Sequence, residues 1–309
     1  MRLLRLLLPL LPLALLTAGC GQDTSAPLLD FISDGTSLTA DRTLTVADTF
    51  QVRIFAEARE GGPGLKQLTI TAQERFYRNP AQSRFVDPEP LVYFDTVFTQ
   101  PTPPSKFLFT NRFSTSTNAG RQDWKYTVTD VDGNKATRGY RITGQPADSI
   151  NPVHTYSVRL QAPRRSGSRA VLAAERGFAL PAYATNQAGY QGWADILYVS
   201  SPTGPVLAAP TSPAAATAPV LRVNRWQQRR ATELAASPLT LGEFDAITTS
   251  AGIANAVAGV TLTVGGQVPV GLNKAVVFRT AEGNEGVLFI TGVGTAAPVD
   301  LVMTVKILR

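Results

Sequence analysis

The chain has 309 residues, 44% of them hydrophobic, which is enough for two domains of ordinary size with apolar cores. Its net charge of +6 is scattered, with Arg164-Arg165 and Arg229-Arg230 no more than pairs, and this excludes the clustered basic face of a nucleic-acid-binding protein. One cysteine (Cys20) and one histidine (His154) exclude an intrachain disulfide and a zinc site of the His/Cys type, and no metal or cofactor is expected.

The chain opens with Arg2 and Arg5, then an apolar run from Leu6 to Leu16 interrupted by Pro9 and Pro12. This is the charge-then-apolar order of a secretory signal, and the run is shorter than the ~20 residues a spanning helix needs. The run ends in Leu16-Thr17-Ala18-Gly19-Cys20. That segment resembles the lipobox of bacterial lipoproteins, although Thr17 stands where the family favours Leu, Val or Ile. The resemblance implies a signal peptide over 1–19 and a diacylglycerol (palmitate-bearing) anchor on Cys20. A small, polar tether over 20–27 would then join the lipid to the fold. Gly21, where retention signals carry aspartate, implies the outer membrane of the cell envelope.

Residues 28–145 alternate apolar and polar positions between turn signals, the pattern of half-buried strands. Phe50, Val52, Ile54 and Ala56 share one face; Leu68, Ile70 and Ala72 share the next; Trp124, Tyr126 and Val128 share another. About seven such strands fit a β-sandwich. The segment Trp124 to Thr137, with Thr129-Asp130-Val131-Asp132-Gly133-Asn134 at its turn, resembles the last hairpin of immunoglobulin-like domains of bacterial surface proteins. Asp130, Asp132 and Asn134 also mimic the start of a calcium loop. The twelfth position is Arg141 rather than glutamate, so a hairpin turn is expected.

Residues 146–153 read as a linker, and His154 at its end reads as a linker residue. Residues 154–309 read as a second β-rich domain, another sandwich, with one or two short helices. Tyr156, Val158 and Leu160 alternate, and Ala194 to Val199 is a strand. Ser200 to Pro219, rich in Pro, Ala, Ser and Thr, reads as a long surface loop. Thr240-Leu241-Gly242-Glu243 is a capping box ahead of Phe244 and Ile247, and Gly252 to Val257 suits a further helical turn. Ala275–Thr280, Gly286–Gly292 and Leu301–Ile307 are strands. The block from Val276 to Ile290 with Val302 to Ile307 resembles the C-terminal part of lipoproteins of Bacteroidota, a resemblance that implies no activity.

No catalytic constellation stands out. Tyr190, Trp193 and Trp226, with Tyr183 and Tyr198, are the rings that suit a sugar-stacking platform, and Asn186, Gln187, Gln191 and Asp195 are placed to bond hydroxyls. Asp195 and Asp245 are the carboxylates a hydrolase of the glycosidase type would pair. The expected role is therefore non-enzymatic: a lipid-anchored envelope protein whose partners are the membrane and a glycan or another envelope protein. A glycan-binding surface lipoprotein and a carboxylate-dependent hydrolase are the alternatives.

Overall fold

The computed structural model describes residues 26–44, 49–76, 89–118, 120–144, 152–201, 204–294 and 299–308. Cys20 and residues 146–151 of the expected linker lie outside these. The fold is mainly β, 49% strand against 12% helix, so the helices are accessories to sheets.

The N-terminal sandwich is built from β1 (Leu28–Phe31), β2 (Arg42–Leu44), β3 (Thr49–Glu57), β4 (Leu65–Phe76), β5 (Leu91–Val97), β6 (Lys106–Ser114), β7 (Gly120–Asp130) and β8 (Lys135–Gly144). A three-stranded sheet in the order β1-β3-β6 faces a five-stranded sheet in the order β2-β8-β7-β4-β5. The short β2 runs parallel to β8, and the other pairings are antiparallel. The expected alternation holds: Val52, Ile54, Ala56, Leu68, Ile70, Ala72, Trp124, Tyr126 and Val128 are buried in one core. The β7–β8 hairpin turns at Asp130, whose carboxylate accepts from Asn134 N at 2.8 Å and Asn134 Nδ2 at 3.0 Å. Gly133 takes φ +92° there, so the Gly-Asn pair serves the turn.

The second sandwich also has two sheets. The five-stranded one orders β11 (Phe178–Pro181), β10 (Arg169–Ala173), β12 (Ile196–Ser201), β13 (Gly204–Ala208) and β16 (Gln267–Pro269). The six-stranded one orders β15 (Thr263–Val264), β14 (Glu233–Ser237), β17 (Ala275–Arg279), β18 (Glu285–Val293), β19 (Leu301–Leu308) and β9 (Val153–Leu160). Leu172, Ile196, Leu207, Phe278, Leu288 and Met303 fill the space between them. Helices α4 (Leu241–Ala246) and α5 (Ser250–Ala258) cover the outer face of the six-stranded sheet, where Phe244, Ile253 and Val257 meet Val277, Val287 and Phe289. The expected capping box is present at α4: Glu243 N donates to Thr240 Oγ1, and Thr240 N donates to Glu243 Oε2 at 2.8 Å. Lys306 closes the other end, its Nζ donating to the carbonyls of Phe244, Asp245 and Ile247.

Three expectations are corrected. Ser200 to Pro219 is no surface loop: it carries β13, an interior strand with Leu207 and Ala208 fully buried, and then helix α3 (Pro213–Ala216). Its prolines sit where each element tolerates them. Pro205 lies near the start of a strand, and Pro213 is the first helical residue behind the N-cap Ser212. His154 is no linker residue; it is the second residue of β9, buried opposite Ile307, and Val153 already belongs to that strand. Pro27, assigned to the tether, is buried at the edge of β1.

Candidate functional site at the junction of the two sandwiches

The outer face of the five-stranded sheet of the second sandwich does not meet solvent. Val171, Ala173, Phe178 and Leu180 join the same buried cluster as Tyr93, Phe113 and Trp124 of the N-terminal sandwich, so one core crosses the junction. The single-turn helix α1 (Ala182–Thr185) sends Tyr183 into that core, where its hydroxyl donates to Asn111 Oδ1. Asn111 in turn donates to Tyr126 Oη at 3.2 Å, and Tyr126 bonds Tyr140 at 3.0 Å. A fully buried asparagine is thereby satisfied jointly by both sandwiches.

The turn between β10 and β11, Ala174 to Gly177, is the hub. On one side Ser116 Oγ donates to Arg176 O at 2.7 Å, and Asn118 Nδ2 donates to the carbonyls of Glu175 and Arg176 at 3.1 Å. Thr117 Oγ1 lies 2.8 Å from His154 Nε2. Gly177 has φ +75°, and a Cβ there would collide with Thr117 Oγ1. On the other side Glu175 Oε1 accepts from Thr280 Oγ1 at 3.0 Å and Asn284 Nδ2 at 2.5 Å, tying the turn to the β17–β18 hairpin. Arg230 lies between: its Nε is 3.1 Å from Asp195 Oδ1, its Nη1 donates to Gly192 O at 2.5 Å, and it pairs with Glu282. Burial pushes the Asp195 carboxyl up to about 6 despite the pull of Arg230.

Beside this hub lies a group of buried polar side chains contributed by both sandwiches. Period-2 alternation along β4 turns Leu68, Ile70, Ala72 and then Glu74 inward, and Glu74 stands opposite Gln122 of β7. Trp124 follows two residues along the same face. Its ring contacts Tyr93 at 4.8 Å, and Tyr93 contacts Tyr190 at 5.4 Å. Tyr190 belongs to helix α2 (Ala188–Gln191) of the second sandwich. Four buried atoms, Glu74 Oε2, Gln122 Oε1, Trp124 Nε1 and Tyr190 Oη, have no hydrogen-bond partner. Burial pushes the Glu74 carboxyl up to about 7, and the Arg176 charge pulls it back only in part. Arg176 itself stacks on Trp193, its guanidinium carbon 3.6 Å from the ring centroid.

The rings expected to make an open platform therefore do not make one. Tyr190 is 0% exposed and Trp226 7%, the latter with its indole N–H donating to Leu221 O at 3.0 Å; Trp193 is half-buried under Arg176. Of the expected hydroxyl-binding groups, Gln191 Oε1 is taken by the backbone N–H groups of Gln227 and Gln228, and Asp195 by Ala174 N and Arg230. Apolar burial at the junction outweighs presentation of these rings to solvent. Asp195 and Asp245 are not brought together: Asp195 is buried at the hub, whereas Asp245 is exposed on α4, which packs against the outer face of the six-stranded sheet. Among the described residues, no group of three His, Cys, Asp or Glu is arranged to hold a metal ion, and no helix is long and apolar enough to cross a membrane. The unpartnered pair Glu74 and Gln122 escapes a motif search, yet it leaves one signal: two polar residues in the apolar phase of otherwise alternating strands.

The site is a buried polar cluster within the core shared by two β-sandwiches. No family model matches the sequence, and no curated protein does. Solved structures give distant likenesses. A DUF4466 family protein from Parabacteroides merdae is 11% identical with a TM-score of 0.32, over 92% of this chain and 99% of that one. The sporulation control protein Spo0M from Bacillus subtilis is 10% identical with a TM-score of 0.26, over 59% of this chain and 78% of that one. A beta-glucosidase from Listeria innocua is 10% identical with a TM-score of 0.26, over 40% of this chain and 16% of that one. Likenesses this distant bear on neither family nor function.

Proposed function

We propose that the protein is a lipid-anchored component of the bacterial cell envelope, of the Bacteroidota type and held in the outer membrane, with a non-catalytic binding or structural role. The anchor is Cys20 behind the signal sequence of residues 1–19. The observation that carries the reading is the lipobox-like segment ending at Cys20, with the fold beginning a few residues after it. Pro27 is already buried and Leu28 begins β1, so only Gly21 to Ala26 separate Cys20 from the folded body. That tether spans at most ~20 Å when fully extended, which holds the N-terminal sandwich against the membrane surface. The sheet orders β1-β3-β6 and β2-β8-β7-β4-β5 support an immunoglobulin-like reading of that sandwich, with β3 and β6 facing β4, β7 and β8. The shared core at the junction joins the two sandwiches into one spacer.

Metabolic labelling with palmitate tests the anchor. Wild-type protein is expected to carry label and an N-terminal acyl mass on Cys20, and Cys20→Ser to carry neither while retaining the β-rich circular-dichroism spectrum. Unlabelled wild-type protein overturns the anchor. Hydrolytic turnover on a broad substrate panel, abolished by a single carboxylate substitution, overturns the non-catalytic role.

A further inference from the structure

We propose that the pole of the N-terminal sandwich opposite the junction docks on the phospholipid bilayer, with Leu28, Val97 and Val131 turned into the headgroup–acyl boundary. The inference rests on the anchor at Cys20 and adds which surface of the fold meets the lipid.

This pole is assembled from the loops of residues 58–64, 98–105 and 131–134, and hydrogen bonds tie them together. Ala58 N donates to Ser105 O at 2.7 Å, Leu65 N to Pro104 O at 2.9 Å, and Val131 N to Gly64 O at 3.1 Å. The chain enters the fold here, because Leu28 opens β1 opposite Glu57, the last residue of β3. The junction lies at the other pole, beyond the end of β6 and the start of β7, where Ser116 and Asn118 bond the β10–β11 turn. The 11 residues of β7 separate the two poles by roughly 35 Å, against at most ~20 Å for a fully extended Gly21 to Ala26. The tether therefore delivers the entry pole to the lipid, and not the junction.

The chemistry of the pole suits that contact. Leu28 is 45% exposed on the edge strand of one sheet, Val97 50% on the edge strand of the other, and Val131 43% at the tip of the β7–β8 hairpin. Three apolar side chains spaced around the pole define a plane. Pro101, Pro103 and Pro104 in the β5–β6 loop bring no N–H, so fewer backbone donors lose water on contact. Charge at the pole is balanced: Arg59 pairs with Asp132 at 3.4 Å, Lys106 pairs with Glu57 at 2.8 Å, and Lys66 and Lys135 are matched by Glu60 and Asp130. The attraction is apolar, and a zwitterionic surface suffices for it. Apolar contact of this size orients a protein that acyl chains already hold, with the second sandwich turned outward.

The test uses acylated full-length protein in phosphatidylcholine vesicles. Cys20 is the only cysteine, and acylation consumes its thiol, so a nitroxide label goes to a single introduced cysteine. Val97→Cys and Val131→Cys report on the pole, and Val264→Cys, 65% exposed natively, reports on the second sandwich. Relaxation of each label by oxygen, which concentrates in the bilayer, is compared with relaxation by a water-soluble nickel chelate. The oxygen-to-nickel ratio is expected to be about fivefold higher at both pole positions than at Val264→Cys. Equal ratios at the three positions, with acyl mass confirmed on Cys20, overturn the proposal and leave the anchor standing. Absence of acyl mass overturns both. Protection of the pole labels that fades as the protein is diluted in lipid assigns the surface to a second copy of the chain, and overturns the proposal as well.

Discussion

The two sandwiches bury their sheets differently, and β7 and β18 show how. Along β7 every second side chain is buried, because the opposite face of its sheet meets water. Along β18 five consecutive residues, Gly286 to Ile290, are buried, because the opposite sheet covers one face and helices α4 and α5 the other. Strands covered on both faces lose alternation and read as apolar runs. The same holds at the junction, where β10 and β11 are buried throughout, between the second core and the core shared with the N-terminal sandwich. The difference teaches that the second sandwich is the middle layer of the molecule, covered on both of its outward faces.

The largest expected effect breaks this comparison directly. Leu288→Ala and Phe289→Ala remove adjacent side chains that point into different cores, and each is expected to cost roughly 3–5 kcal/mol. In β7 the neighbours Tyr126 and Lys125 are expected to differ: Tyr126→Ala costs roughly 3–5 kcal/mol, and Lys125→Ala, on the solvent face, stays within about 0.5 kcal/mol. Chemical denaturation of the four variants reads this. A cheap Phe289→Ala would mean that α4 and α5 do not seal the outer face.

The next effect concerns the junction. The Glu74 carboxyl titrates near 7 in the folded protein against 4.5 when free. Below about pH 4.5 both states are protonated, and the group makes no difference. As pH rises from there to about 7, the unfolded chain releases its proton and the folded protein keeps it, so stability falls; above 7 the loss is complete, on the order of 3 kcal/mol. Glu74→Gln is expected to remove that slope and to be more stable than wild type at pH 8. Melting curves from pH 4 to 8 measure it, and an unchanged slope in the variant would place the titrating group elsewhere. Asp195, pushed up to about 6 from 3.8, adds a decline of the same sign between those values, which Glu74→Gln leaves in place.

Gly177→Ala tests whether the turn at the hub couples the two sandwiches. The alanine is strained at φ +75°, and its methyl meets Thr117 across the junction. The expected loss is roughly 1–3 kcal/mol, smaller when Thr117→Ser is present, because loss of the Thr117 methyl lets that side chain shift. Strictly additive effects in the double-mutant cycle would show that the contact does not carry coupling.

What was legible in the sequence follows from the same physics. The N-terminal strands announced themselves by alternation, and the α4 capping box by local chemistry. Strand β13 was hidden because Pro205 and Pro210 bracket a four-residue apolar run that reads as loop. Helices α1, α2 and α3 have four residues each, too few to show a helical period. The aromatic residues of α1 and α2 were visible, but their burial depends on docking against another sandwich, and no local pattern encodes that. Glu74 was visible as a polar residue in an apolar phase; its meaning required Gln122 and Tyr190, 48 and 116 positions away.

The smallest effect sits at the element most plainly written in the sequence. Thr240 accepts from Glu243 N through its hydroxyl, and Glu243 Oε2 accepts in return from Thr240 N and Oγ1 at 2.8 Å. Thr240→Ala orphans one of the first N–H groups of α4 and is expected to cost about 1 kcal/mol. Thr240→Ser keeps the hydroxyl and is expected to cost much less. The hydrogen bonds from Thr240 hold the Glu243 carboxyl below its ordinary range, so their contribution is present above that range and fades as pH falls through the lowered value. This is the opposite sign to Glu74, and the two groups lie in different sandwiches. Because α4 covers one face of the six-stranded sheet, the loss is expected to concentrate in faster amide exchange of α4 and β18, leaving β7 unchanged. Exchange that quickens equally in β7 would mean that the two sandwiches unfold as one unit, even for a defect this small and this remote from the junction.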